Sequence, residues 1–503
     1  MERKNPRILI VTPEITYLPE GMGNMANTMK AKAGGLADVS ASLVSALFDL
    51  GADVHVTIPN YRRLFHIDVG RFLSEELRIY KTKFPDSRVH LAEDRAFYYC
   101  NEVYSNYHAE NAQVALAFQR EVINNIIPSI NPQLIHCNDW MTGLIPAAAR
   151  RLNIPCLYTV HNIHTKEMCL EEIENHGIDA AEFWPFLYYT HAPGQYEEIR
   201  STNPVDLLTS GVFAAHFINT VSPTFLDEIA EGFHDYIPPQ IRSEIANKRA
   251  AGCAQGITNA PDPTFNPHTD PSIAVRYSAE DHVEGKAKNK RSLQEKIGLE
   301  TRADAPLLFW PSRLDPVQKG CQLMTEVLYS VVSRYWEDGL QVVFVANGAY
   351  QIHFHEICRF HNLHGRVAVC DFTEELSRLA YAASDFVLMP SLFEPCGLPQ
   401  MIGTIYGSLP IVRDTGGLHD TISHLAPDRH AGNGFVFEYY DSVGFSWAID
   451  QAVAFYRLPT ADKETQVKRV MTEGAATFNH SVTARHYIDV YEAMLNRPIV
   501  GLF

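Results

Sequence analysis

Apolar residues along this chain follow two alternating rhythms: short unbroken runs, and longer stretches with apolar positions three and four residues apart. The first run, Arg7–Thr12 (RILIVT), stops at Pro13 and predicts a buried strand. A Gly- and Met-containing loop over 18–29 follows. Beyond it Leu36, Val39, Leu43, Leu47 and Leu50 recur at helical spacing, and Asp53–Ile58 (DVHVTI) alternates as a second strand. This βαβ opening is repeated by runs at Leu134–Cys137, Cys156–Val160 and Phe217–Val221. The stretch NAPDPTFNPHTDPS, from Asn259 to Ser272, interrupts it with four prolines and little apolar content. Then the alternation restarts at Leu307–Trp310, Val342–Ala346, Val367–Cys370, Phe386–Met389, Leu409–Val412 and Phe435–Phe437. Strands alternating with helices predict parallel sheets covered on both faces. The proline-rich interruption divides them into two α/β halves in series, with a cleft between. A last helical stretch, His480 to Leu495, places Val482, Tyr487, Val490, Tyr491 and Met494 on roughly one face.

Composition narrows the setting. A chain of 503 residues is too long for one ordinary core. Hydrophobic content of 46% with 20% charged residues describes a globular protein. The net charge of −17 argues against nucleic acid or an anionic membrane surface as partner, so any anionic ligand needs a local basic cluster. Nine scattered cysteines without a Cys-x-x-Cys pair fit a reducing compartment. The first apolar run is too short for a signal peptide and no later one has membrane-spanning length, so a cytoplasmic location is expected.

Candidate chemistry concentrates in Pro390–Asp420. Two glycine-containing loops there, Glu394-Pro395-Cys396-Gly397 and Thr415-Gly416-Gly417, each follow an apolar run and precede a helix-compatible segment. Such loops sit at the carboxyl edge of a parallel sheet, where ligands bind. A helix amino terminus there offers N–H groups to an anion or a sugar. Glu394 is the carboxylate expected to touch the reacting molecule. In the amino half, Lys32-Ala33-Gly34-Gly35 lies between strand and helix. It matches neither the G-x-G-x-x-G fingerprint nor a P-loop, but paired glycines and a lysine suit a phosphate as well as they suit an ordinary turn. HCNDW (His136–Trp140) and TVHN (Thr159–Asn162) end two further strands. His161 suits hydrogen bonding or proton transfer, Asp139 suits hydroxyls, and Trp140 offers a stacking face. Taken singly each of these reads as a satisfied core residue; two such clusters on neighbouring strands weaken that reading. Arg313 and Lys319, six residues apart after a strand, suit one diphosphate, although surface ion pairing would explain either alone. His353, His355, Cys358, His361 and His364 crowd together without a known metal-ligand spacing, and a solvated helix is the favoured reading over a zinc site.

Together KAGGLADV, HCNDW, TVHN, SRLDPVQKG, PSLFEPCGLPQ and YGSLPIVRDTGGLHDT resemble, in order and over nearly the whole chain, the bacterial glycogen synthases and plant starch synthases of the ADP-glucose type. The resemblance implies a GT-B fold, two Rossmann-like domains facing a deep cleft. Residues 1–262 would form the amino-terminal, acceptor-side domain and 263–480 the nucleotide-sugar domain, with 481–503 as a helix crossing back. It implies retaining transfer of glucose from ADP-glucose to the 4-hydroxyl at the non-reducing end of an α-1,4-glucan, with no cofactor and no essential metal. By motif, Lys32, His161, Arg313, Lys319 and Glu394 are the expected catalytic group. Gly34, Gly35, Asn162, Asn259, Phe372, Cys396, Gly397, Leu398, Thr415 and Gly416 fall on donor positions, with Phe372 packing on adenine. Asp139, Trp140, Asp38 and Glu14 fall on the acceptor or sugar side. A covalent role for Glu394 does not follow, because the usual proposal for this family is a front-face route assisted by the leaving phosphate.

The chain departs from the family pattern in places. The 18–29 loop is long, Met141 stands where a His is frequent, Leu392 where an Arg is frequent, Ala260 where a Gly is usual, and Asn347–Tyr350 (NGAY) replaces a Gly-x-Gly-Asp-like turn. These bear on acceptor preference and ribose contacts rather than on the charged residues. The main alternative is another GT-B glycosyltransferase with a different nucleotide sugar or a small acceptor, which usually lacks the amino-terminal lysine block. A pyridoxal-dependent phosphorylase would need a longer chain, and a glucan-binding paralogue would predict lost site charges.

Overall fold

A computed structural model of the chain describes residues 5–19, 21–22, 30–65, 88–105 and 108–501. Most of the 18–29 loop lies outside the described residues. The chain divides into one unit of Met1–Ile257 with His480–Phe503, and a second of Thr258–Asn479.

The first unit is built on a seven-stranded parallel sheet. Its strands are β1 (Arg7–Val11), β2 (Asp53–Pro59), β3 (Val89–Ala92), β4 (Leu134–Asn138), β5 (Cys156–Val160), β8 (Phe217–Thr220) and β9 (Ala254–Gly256), while β6 (Glu167–Met168) and β7 (Val205–Asp206) form a small antiparallel pair. The order across the sheet is β3-β2-β1-β4-β5-β8-β9. The central strands are apolar runs because helices cover both faces, so the solvent-facing alternation of an antiparallel sheet is absent. Every residue of β4 and β5 is buried. The Gly35–Asp49 helix is buried without interruption from Leu36 to Val44, and the carboxyl-terminal helix packs against it.

That last helix, His480–Leu495, buries Thr483, Ala484, Tyr487, Ile488, Val490 and Tyr491 in the first unit. Val482, expected on the apolar face, is 37% exposed. Two tyrosine hydroxyls fix the helix to the sheet. Tyr491 Oη lies 2.7 Å from His136 Nδ1, and Asn219 Nδ2 donates to Tyr487 Oη at 3.1 Å. Thr159 Oγ1 joins the two, 2.6 Å from His136 Nε2 and donating to Asn219 Oδ1 at 2.6 Å. Buried polar side chains therefore close on one another, as a dry core requires.

The second unit carries six parallel strands: β10 (Leu307–Trp310), β11 (Gln341–Val345), β12 (Val367–Cys370), β13 (Phe386–Met389), β14 (Leu409–Arg413) and β15 (Phe435–Phe437). Their order, β12-β11-β10-β13-β14-β15, is the 3-2-1-4-5-6 order of a dinucleotide-binding sheet. The proline-rich stretch is packed onto this unit. Asp270 is 1% exposed and accepts from Arg378 at 3.2 Å and from Tyr406 Oη at 2.5 Å. Among the described residues no helix is long and apolar enough to cross a membrane.

Candidate active site

In both sheets the order reverses at one place, between β1 and β4 and between β10 and β13. At such a point neighbouring connections leave to opposite sides and open a crevice beyond the carboxyl ends of the strands. The expected charged residues lie on the loops bordering these two crevices or on the strand end beside them. Glu14 and Lys32 follow β1, Asp139 and Trp140 follow β4, and His161 and Asn162 follow β5. Arg313 and Lys319 follow β10, and Glu394, Cys396, Gly397 and Leu398 follow β13.

In the first unit Glu14 shapes the lysine loop. Its buried Oε2 accepts the N–H groups of Ala33 and Gly34 at 2.7 and 3.0 Å, and Oε1 accepts Tyr104 Oη at 3.1 Å. Burial raises the Glu14 carboxyl above its ordinary range, against the pull of those hydrogen bonds. Lys32 is exposed enough to meet a ligand, and its Nζ lies 2.7 Å from Asp38 Oδ2, whose Oδ1 accepts Thr16 Oγ1 at 2.6 Å. A Cβ on Gly34 would meet no atom within 4 Å, so that backbone faces open space. Gly35 begins the helix. Glu14 and Asp38 therefore hold the lysine motif in place, a different task from the sugar contact the resemblance implies for them.

Asp139 has φ 55° and ψ −179°, a backbone region that glycine occupies almost alone. It accepts from the His161 backbone N–H at 2.7 Å and from Asn162 Nδ2 at 3.0 Å. Trp140 beside it is half-buried against the core. Burial pushes the Asp139 carboxyl up to about 7, opposed by those N–H donors. A carboxyl raised above its unfolded value of 3.8 stabilises the fold at low pH, and that contribution is lost as pH rises through its folded value of about 7. The shift corresponds to about 4 kcal/mol at most. Asp139→Asn is expected to remove this slope, so that between about pH 5 and pH 8 wild type loses roughly 3 kcal/mol relative to the variant. Parallel urea titrations of the two proteins would check it; an unchanged difference would refute the raised value.

His161 is tuned the other way. Burial pulls its imidazole down to about 3, so the ring is neutral at physiological pH. Its Nε2 lies 2.9 Å from Asn138 Oδ1. Asn138 Nδ2 donates to the Val11 carbonyl, so Oδ1 faces the ring and Nε2 carries the hydrogen. Nδ1 is left as an acceptor. A neutral ring suits hydrogen bonding to a ligand better than acting as a general acid at neutral pH.

In the second unit Lys319 Nζ lies 2.6 Å from Glu394 Oε2, both side chains largely buried, and Ser391 Oγ donates to the same oxygen at 3.1 Å. Among the described residues Oε1 accepts nothing, so one carboxylate oxygen is pinned and the other is free. Backbone contacts without side chains bring these loops together. A Cβ on Gly320 would lie 2.0 Å from the Pro390 carbonyl, and one on Gly417 would lie 2.1 Å from that of Cys396. Gly417 N–H then donates to the Glu394 carbonyl at 3.0 Å. Cys396 is buried, its thiol pushed up to about 12 by burial, and the Asn259 backbone N–H bonds to it. Arg313 is exposed and among the described residues makes no ion pair. Phe372 is 48% exposed after β12, its N–H donating to Asn347 Oδ1 at 2.8 Å. Thr415 and Gly416 begin a helix of only six residues.

The histidines of the 353–364 stretch do not converge on one point. His353, His355 and His364 are exposed, Cys358 is buried, and His361 stacks on Tyr329 at 3.7 Å. Among the described residues no three His, Cys, Asp or Glu side chains gather as metal ligands would. Conversely, sequence reasoning missed Tyr104, Thr16, Asn138, Ser391 and Gln400, which touch the expected residues. Only Asn138, Ser391 and Gln400 lie inside stretches already singled out.

Two Rossmann-like units with ligand loops at both reversal points define a GT-B glycosyltransferase. Known proteins of this fold agree: the chain superposes on the catalytic domain of starch synthase IV from Arabidopsis thaliana, bound to ADP and acarbose, with a TM-score of 0.77 and 24% identity, covering 98% of this chain and 100% of that one. It also superposes on sucrose-phosphate synthase from Thermosynechococcus elongatus with a TM-score of 0.59 and 16% identity, covering 98% and 99%. Residues 7–237 match the starch synthase catalytic domain and residues 305–454 match the glycosyl transferases group 1. The glycogen synthase of Syntrophotalea carbinolica is 32% identical over 92% of this chain and 96% of its own length; that of Moorella thermoacetica is 31% identical over 99% and 98%. The chain belongs to the glycogen and starch synthase family.

Proposed function

We propose that the protein elongates an α-1,4-glucan by transferring glucose, with retention, from ADP-glucose to the 4-hydroxyl at the non-reducing end. The observation that carries this reading is Glu394, with one oxygen pinned by Lys319 and Ser391 and the other free, at the reversal point of a nucleotide-binding sheet. A solved starch synthase of the same fold holds ADP and acarbose, a nucleoside diphosphate and a glucan-like oligosaccharide.

In the proposed reaction the bond between C1 of glucose and the diphosphate breaks and a bond from C1 to the acceptor oxygen forms. The hydroxyl proton passes to the departing diphosphate on the same face. Lys319 and Arg313 meet the growing negative charge of that diphosphate, the role a metal plays in other transferases. Pairing with Glu394 keeps the Lys319 ammonium in position before the donor arrives. The free Glu394 oxygen steadies positive charge developing on the sugar, and the N–H groups after Cys396 address its hydroxyls. In the first unit, Gly34 leaves the Lys32 loop open to a phosphate or a sugar, with no side chain in the way. Neutral His161 accepts at Nδ1 from a sugar hydroxyl without competing for protons.

The decisive experiment supplies ADP-glucose and UDP-glucose separately, with glycogen, maltose or no acceptor, and measures nucleotide release. ADP release that depends on glycogen is the expected result. Release only from UDP-glucose overturns the donor, and release with small acceptors alone favours a different GT-B transferase.

A further inference from the structure

Beneath the two glycine loops of the second unit lies a side chain that no motif assigned. Gln400, fully buried on the first turn of the Pro399–Tyr406 helix, directs Nε2 at three oxygens: the carbonyls of Cys396 and Gly397, each at 3.0 Å, and Thr421 Oγ1 at 3.1 Å. Two of these are carbonyls and only accept, so the nitrogen side of the amide must face them. Thr421 Oγ1 in turn donates to the Gly417 carbonyl at 2.6 Å, and the Gly417 N–H donates to the Glu394 carbonyl at 3.0 Å. The ring is therefore closed: Glu394, Gly417, Thr421, Gln400, and back through Gly397 and Cys396 to Glu394. Every member is buried apart from the half-buried Gly397.

Gln400 Oε1 is buried and accepts no hydrogen bond. An unpaired buried amide oxygen is costly, and a leucine or methionine of similar size would avoid that cost. What such a residue would not supply is a pair of donors for the inward-facing carbonyls of Cys396 and Gly397. Holding a carbonyl inward turns the following N–H toward the opposite side, because the peptide unit is planar. Those following N–H groups belong to Gly397 and Leu398, on the loop assigned to the donor sugar.

We propose that Gln400, with Thr421, is a positioning residue for glucosyl transfer. It latches the Glu394–Leu398 and Thr415–Gly417 loops into one body, so that the free Glu394 oxygen and the loop N–H groups meet the sugar at fixed spacing. The inference rests on the reading of this site as the donor site. Its reach is limited to the sugar, since the nucleotide-side residues Arg313 and Phe372 stand on other loops.

The test uses the full-length protein with Gln400→Glu, Thr421→Val and Thr421→Ser. Gln400→Glu removes both donors and sets a carboxylate against two carbonyls; Thr421→Val cuts the ring at its other link, and Thr421→Ser restores the hydroxyl. The expected result is a fall in kcat of about 30-fold or more for Gln400→Glu and about 10-fold for Thr421→Val. Thr421→Ser should stay within about 3-fold of wild type, and the Kd for ADP, which lacks the glucosyl group, should stay within about 3-fold in all three. Near-normal kcat in both Gln400→Glu and Thr421→Val overturns the proposal, and so does an equal loss of ADP affinity, which would mark general loosening. Should Gln400→Glu not fold, the Val and Ser pair decides alone. Hydrogen exchange of peptides spanning 394–398 and 415–421 reads the latch without turnover. Wild type inactive with every donor would refute the functional reading, while faster exchange confined to those peptides would still support the latch.

Discussion

Glu394→Ala is expected to reduce glucosyl transfer by roughly 10²–10³-fold or more in kcat, the usual consequence of deleting a preorganised charge at a reacting centre. The same substitution leaves Lys319 largely buried without its carboxylate, which costs about 3–5 kcal/mol when a pair is broken in a protein interior. Glu394→Gln separates the two effects. It keeps the volume and the contact with Ser391 but removes the charge, so its kcat should fall nearly as far while its thermal midpoint stays closer to wild type. Lys319→Ala should resemble Glu394→Ala, and the double variant should be little worse than either single one, because both break the same pair. Steady-state rates with thermal unfolding of the four proteins measure this. A turnover near wild type in Glu394→Gln would remove Glu394 from the site.

Removing the chain from His480 onward is expected to prevent the first unit from folding, although the excised helix is remote in sequence from everything else in that unit. Tyr487, Ile488, Val490 and Tyr491 are buried, and each contributes about 1.5–3 kcal/mol by leaving water. The sum, roughly 6–12 kcal/mol, approaches the whole stability of an ordinary domain. Truncation also strips His136 and Asn219 of their tyrosine partners in a dry core. The milder Tyr491→Phe leaves the packing and orphans His136 Nδ1, at a cost of about 1–3 kcal/mol. Soluble, cooperatively unfolding protein from the truncated chain would show that the helix is an accessory. The second unit, whose core contains none of these residues, should be unaffected in either variant.

The strands were legible where the chain carries an unbroken apolar run. Cys156–Val160, Leu307–Trp310, Val367–Cys370, Phe386–Met389 and Phe435–Phe437 stand at the bounds their apolar runs predict. In Cys156–Val160, Leu307–Trp310 and Phe386–Met389 every residue is buried, and a parallel strand covered on both faces needs no polar residue. The sheet-edge strands β3 and β9 escaped notice. Val89–Ala92 and Ala254–Gly256 are only partly buried, so their composition carries little apolar signal. The Gly35–Asp49 helix was predicted from one apolar stripe, yet Ala37, Ser40, Ala41 and Ser42 are buried as well, since the helix packs against the carboxyl-terminal helix as well as the sheet. Val482 failed for the opposite reason: the stripe from Val482 to Met494 spans more of the helix circumference than the partner surface covers.

Sequence alone determined the chemistry that could be present: two successions of buried strands, a lysine-glycine loop, polar strand ends, and the Glu394 loop with its order of motifs. These are local patterns, set by neighbours along the chain. The tertiary structure decided which group acts on which. Lys319 and Glu394 are 75 residues apart and Glu14 and Tyr104 are 90 apart, and no local pattern links either pair. It decided that Glu14 and Asp38 hold the lysine motif, that His161 is neutral while Asp139 titrates near neutrality, and that Gln400 ties the two glycine loops together. Charge state and pairing depend on burial and on the few ångströms between groups, and only the folded sheets, by reversing their strand order, set those distances.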